Sequence, residues 1–128
     1  MRNINQQKNK TDVLIIEDDP PTIELLNDFF AMKGYSSRGV KRGQKGLELA
    51  EKSGPKLILI DIFLPDIDGY EVCKKIRASP KLKDLKIVYI TAKSEEEVSQ
   101  KIQETGANGY ILKPFELSKV EGLEKYLK

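Results

Sequence analysis

The chain has 128 residues, 39% of them hydrophobic, and its 22 Lys and Arg against 20 Asp and Glu leave a net charge of +2. That length suits one compact domain with a buried core, and so small a charge gives no basis for a direct nucleic-acid partner. The absence of histidine excludes Ser-His-Asp triads, Cys-His dyads, imidazole metal ligands and phosphohistidine from this chain. One cysteine, Cys73, permits no internal disulfide and suits a reducing, cytoplasmic setting. No apolar stretch approaches the ~20 residues of a membrane span, so no membrane insertion is expected.

In chain order, residues 1–10 (MRNINQQKNK) read as a flexible basic arm and residues 11–128 as a single domain. Short apolar runs rich in Val and Ile mark strands covered on both faces: VLII at 13–16 (β1), LILI at 57–60 (β3) and IVYI at 87–90 (β4). YSSRGV at 35–40 (β2) and GYIL at 109–112 (β5) are weaker candidates. Apolar residues recur at helical spacing over 23–30 (α1), 47–50 (α2), 72–76 (α3), 98–102 (α4) and 120–127 (α5), so the order is βα five times. Asp19 before Pro20 reads as a helix N-cap, and Asp68 with Glu71 and Ser94 with Glu97 read as capping boxes. Gly34 and Gly106 fit helix C-termini. Asp66 reads as a turn residue, and Phe63 and Cys73 as packing side chains.

Helix capping leaves Asp61 unexplained, because IFLPDI separates it from the helix that Asp68 caps, and polar residues end the other strands too. Glu17 and Asp18 follow β1, Asp61 follows β3, Thr91 follows β4 and Lys113 follows β5. Right-handed crossovers make the strands of such a chain parallel, which brings all these ends to one edge of the sheet, where open α/β sheets bind ligands. Three carboxylates crowded there repel one another unless a hard divalent cation joins them. With a lysine ammonium and a threonine hydroxyl beside one carboxylate, the arrangement suits phosphoryl transfer onto an aspartate nucleophile. The other reading of the same spacing is that the acids merely cap loops.

The motifs VLIIEDDP, LILIDIFLPDIDGYE, VYITA and GANGYILKPF, in this order across residues 11–127, resemble the receiver domain of two-component response regulators. The resemblance implies a doubly wound, five-stranded parallel sheet of order 2-1-3-4-5 flanked by five helices, the flavodoxin-like receiver fold. It implies Asp61 as phosphoacceptor. Mg²⁺ or Mn²⁺ would be held by Asp18, Asp61 and the main-chain carbonyl of Phe63, with Glu17 behind them or acting through water. Thr91 would be the switch hydroxyl, Ala92 the small residue leaving it room, and Tyr110 the aromatic that moves with it. Lys113 would pair with a phosphoryl oxygen, ahead of a cis bond to Pro114.

The implied partners are a sensor histidine kinase or histidine phosphotransfer protein as donor and a downstream protein met by the α4-β5-α5 face, the chain being a monomer or a phosphorylation-dependent dimer. No turnover enzyme is expected. A haloacid-dehalogenase-type phosphatase also uses an aspartate and Mg²⁺, but needs a second acid where Phe63 stands. A phosphorylation-independent interaction module would be expected to lack one of the acceptor, metal-binding, threonine or lysine residues. The end of the chain just after α5 suggests a stand-alone receiver of the chemotaxis or phosphorelay type, the other reading being a fragment of a longer regulator or hybrid kinase.

Overall fold

The computed structural model describes residues 10–128, so the arm expected at 1–10 lies, Lys10 apart, outside the described residues. Five strands, β1 (Val13–Ile16), β2 (Ser37–Val40), β3 (Leu57–Asp61), β4 (Lys86–Thr91) and β5 (Gly109–Leu112), alternate with five helices. These are α1 (Pro20–Met32), α2 (Gly43–Ser53), α3 (Gly69–Ala78), α4 (Glu95–Thr105) and α5 (Leu117–Glu121). Every strand pairing is parallel and the order is β2-β1-β3-β4-β5. Because β1, β3 and β4 lie inside the sheet, both their faces are covered, which is why they read as continuous apolar runs. The outer strands β2 and β5 are only partly buried and correspondingly polar.

Alternate strand residues serve opposite cores. Leu14, Ile16, Ile58, Ile60 and Tyr89 face α2, α3 and α4, whereas Val13, Ile15, Leu59 and Ile90 face α1 and α5. The chain's acids and lysines are thereby left to the two strand edges and the outer helix faces.

The strands run slightly further than their apolar cores: Asp61 and Thr91 are the last residues of β3 and β4 rather than the first of the following loops. β2 is shorter than expected, starting at Ser37. The last helix is also shorter, turning at Gly122 into a 3-10 turn over Gly122–Tyr126. Glycine in a helix interior costs about 1 kcal/mol relative to alanine, so the regular helix has a reason to stop there.

The N-caps form as expected at Asp19, Asp68 and Ser94, whose side chains accept from Thr22, Tyr70 and Glu97 N–H groups. α2 has no such cap of its own at Arg42. The Asp66 carboxylate supplies it from another loop, accepting from Gly43 N at 2.8 Å and Gln44 N at 2.9 Å. Asp66 is therefore more than a turn residue: it ties the segment after β3 to the start of α2. Although partial desolvation opposes the effect, those N–H groups hold its carboxyl below the ordinary aspartate value. Gly69 completes the positioning of that segment. Its N–H donates to Ile62 O at 2.9 Å, and a Cβ there would collide with the Asp61 carbonyl and lie 2.7 Å from Ile62 Cα.

At the other end of α3, Arg77 fastens three segments. Its guanidinium donates to the carbonyls of Gly106, Lys83 and Leu85 and to Asn108 Oδ1, which also accepts from Ile87 N. Charge-assisted bonds to carbonyls that cannot all find replacements are worth more than ordinary surface bonds. Arg77→Ala is expected to lower the unfolding free energy by about 2 kcal/mol, read by urea denaturation. An unchanged midpoint would show that the clasp contributes nothing.

Candidate functional site

Four strand ends converge as the topology requires. Asp61, 5% exposed, closes the central strand β3. Its Oδ2 accepts from Lys113 Nζ at 3.2 Å and its Oδ1 from Phe63 N at 3.2 Å. Glu17 is wholly buried just beyond β1. One of its carboxylate oxygens accepts from Asp19 N at 3.2 Å, and the other, Oε1, lies 2.5 Å from Lys113 Nζ. Lys113 thus stands between two buried carboxylates, while Asp18 is exposed beside them. Carboxylate oxygens of Glu17, Asp18 and Asp61 all lie within 4.8 Å of one another.

Electrostatics follow from that crowding. Burial raises the Glu17 carboxyl from 4.5 to about 7, and its neighbour Asp61 adds to the rise while Lys113 opposes it. For Lys113, desolvation disfavours the charge, but Glu17 and Asp61 outweigh it and hold the ammonium above the usual lysine value. Glu17 Oε1 makes its ion pair with Lys113 without an aligned hydrogen bond. A buried carboxylate oxygen with unused bonding capacity, in a cluster whose donors are all oxygens, fits a hard divalent cation such as Mg²⁺ or Mn²⁺.

Thr91 ends β4, one residue beyond Ile90, the register partner of Asp61. Its hydroxyl is buried and accepts from Lys93 N at 3.0 Å, and its carbonyl accepts from Lys113 N at 2.7 Å. Ala92 follows, exposed. Tyr110, half-buried on β5, donates its hydroxyl to Glu95 at the start of α4. The Lys113–Pro114 peptide is cis, as expected.

Phe63 differs from its sequence reading as a packing side chain. It is 56% exposed, and its ring lies beneath Lys93 Nζ at 4.8 Å from the centroid. Lys93 also pairs with Glu97 Oε2 at 3.4 Å, the oxygen to which Tyr70 donates at 3.2 Å. Phe63, Lys93, Glu97 and Tyr70 therefore link the loop after Asp61 to α4 and α3. Nothing in the spacing of these residues announces the link, because each comes from a different loop or helix. Cys73, by contrast, is buried and packs in the core as expected.

Residues 13–123 match the model of the response regulator receiver domain. The chain belongs to that family. Among curated relatives, the polar-differentiation response regulator DivK of Brucella anthropi is 31% identical over 116 residues, which cover 90% of this chain and 94% of DivK. The DNA-binding dual master transcriptional regulator RpaA of Synechocystis sp. is 34% identical over 110 residues, 84% of this chain. The chain spans just under half of RpaA, 45% of its length. In solved structures, the receiver domain of sensor histidine kinase PA1611 from Pseudomonas aeruginosa superposes with a TM-score of 0.82 at 26% identity, covering 92% of this chain and 98% of that one. That crystal structure has a magnesium ion coordinated in its active-site cleft. The present receiver is therefore a signalling module of two-component response regulators, with the five-stranded receiver fold. No helix among the described residues is long and apolar enough to cross a membrane.

Proposed function

We propose that Asp61 accepts a phosphoryl group from a protein phosphohistidine and that the modified domain signals by docking to a partner. The observation that carries this reading is the placement of one buried carboxylate, at the end of the central strand, within reach of both a lysine ammonium and two further acids. An Asp61 carboxylate oxygen forms the new bond to phosphorus as the bond from phosphorus to the donor breaks. The donor leaves with that electron pair, and a phosphohistidine whose other ring nitrogen carries a proton leaves as neutral imidazole. Lys113, 3.2 Å from Asp61 Oδ2, is placed to pair with an oxygen of a phosphoryl group built on that carboxylate. Asp18, Asp61 and the Phe63 carbonyl would hold the metal, with Glu17 behind them or acting through water. When bound, Mg²⁺ or Mn²⁺ would supply charge neutralisation for the phosphoryl oxygens.

Signal output then rests on Thr91 and Tyr110. The Thr91 hydroxyl exchanges its bond from Lys93 N for one to the phosphoryl group, in space left by Ala92. This draws the segment before α4 inward and releases Tyr110 from Glu95. The face changed is α4-β5-α5, which meets a downstream protein or a second copy of the chain. The donor is a sensor histidine kinase or histidine phosphotransfer protein, and the setting is cytoplasmic.

The direct test is incubation with Mg²⁺ and a small acyl phosphate, followed by intact-mass measurement. One added phosphoryl group, absent in Asp61→Asn, is the expected result. No adduct at saturating donor overturns the assignment.

Phe63 bears on how long the modification lasts. Its main-chain N–H donates to Asp61, and its apolar ring, held by Lys93, offers no group to orient an attacking water. Phe63→Asn is expected to speed hydrolysis of the phosphoaspartate on the order of tenfold, followed as decay of the mass adduct after donor removal. Slower or equal decay in the variant refutes the shielding role.

A further inference from the structure

We propose that the groove at the amino-terminal edge of the sheet, opposite Asp61, is a binding site for oligophosphate, a chain of three or more linked phosphates. The groove holds about 830 Å³ and lies between the starts of β1 and β2 and the second half of α2. Its charged lining is Lys10, Arg38, Lys45, Lys52 and Lys81 against a single acid, Glu51. That is five cations to one anion in a chain whose charges are otherwise balanced.

The nearby acids are already engaged. Glu51 pairs with Lys81 and Glu48 with Lys45, while the Asp12 carboxylate accepts from the Ser36 N–H and hydroxyl. Lys10, Arg38 and Lys52 have no ion-pair partner among the described residues. An uncompensated concave cationic site concentrates anions, and its field is focused by the low-dielectric walls around it.

Shape and chemistry narrow the anion. The groove is lined by no aromatic side chain, so it has no platform for stacking bases, the usual anchor of single-stranded nucleic acid and of nucleobases. Lysines are point charges on flexible stems rather than planar forks; four lysines and one arginine around a pocket suit a compact ligand with closely spaced charges. The acidic cluster of Glu17, Asp18 and Asp61 occupies the opposite edge, on the order of 15 Å away by strand length, and repels the same ligand in the absence of divalent cation. The inference does not depend on the phosphoacceptor assignment.

The test uses the full chain in chelator-containing, low-salt buffer, titrated calorimetrically with tripolyphosphate, ATP, AMP and an oligoglutamate peptide. Tripolyphosphate and ATP should bind with similar affinity, showing that the phosphate chain and not the base is recognised, whereas AMP and oligoglutamate should bind more weakly. Arg38→Glu and Lys52→Glu, both at exposed positions, should each weaken tripolyphosphate binding by about fivefold or more. The same reversal at exposed Lys74 and Lys75 on α3 should have less effect. Amide shifts on titration should centre on Ser36, Ser37 and Ser53 and spare Asp61. Failure of tripolyphosphate to bind, tighter binding of oligoglutamate, equal effects of all four reversals, or shifts centred on Asp61 would each overturn the proposal.

Discussion

Lys113→Ala is expected to slow phosphorylation about a hundredfold while strengthening Mg²⁺ binding on the order of tenfold. The two effects have opposite signs because the ammonium plays two parts. In the proposed phosphoryl transfer it would pair with an oxygen on which charge accumulates, and preorganised groups of that kind typically contribute two or more orders of magnitude. Before transfer it competes with a divalent cation for the same carboxylates, lying 2.5 Å from Glu17 Oε1 and 3.2 Å from Asp61 Oδ2. Its removal leaves three acids within 4.8 Å of one another with no cation, which a divalent ion then neutralises with greater gain. Initial rates with a small acyl phosphate and a calorimetric Mg²⁺ titration separate the two. A lysine that only held the fold together would lower both, and that outcome would remove its assignment to the phosphoryl group.

Much of this site was legible in the sequence because its residues end apolar runs. Asp61 and Lys113 stand out where continuous burial stops at a charge, and the alternation of elements alone places both on one edge. The doubly wound order followed from the resemblance and appears unchanged in the sheet. What escaped was contact between segments with no shared pattern. Asp66 caps α2 across more than twenty residues of chain, and Asx chemistry in a loop looks the same whether its partner is near or far.

Ser94 and Glu97 show a subtler miss. The Ser94 hydroxyl accepts from Glu97 N as a capping box requires, but the Glu97 carboxylate goes to Tyr70 and Lys93. Both are groups from outside the helix. A balanced composition likewise concealed local imbalance: three acids meet at Asp61 and five cations to one acid line the groove that includes Lys52, so the net charge describes neither edge.

Glu17→Gln should abolish a pH dependence of stability that runs opposite to ordinary acid denaturation. A carboxyl raised from 4.5 to about 7 in the folded protein binds its proton more tightly folded than unfolded. Between those values the native state therefore holds more protons, and stability falls as pH rises. At about 1.4 kcal/mol per pH unit, the loss between pH 5 and pH 8 is on the order of 3 kcal/mol in metal-free protein. Asp19 and Asp66, whose carboxyls are held below their ordinary value of 3.8, contribute stability that is present throughout this window and is lost only at lower pH. The slope can thus be assigned to Glu17. Urea denaturation in chelator should show wild type losing stability from pH 5 to pH 8, with the glutamine variant nearly level and more stable than wild type at pH 8. Magnesium should restore wild type most at pH 8, where the carboxylate is free to engage it, and least at pH 5, where a proton occupies the site. The same slope in Glu17→Gln would mean that some other group carries the titration.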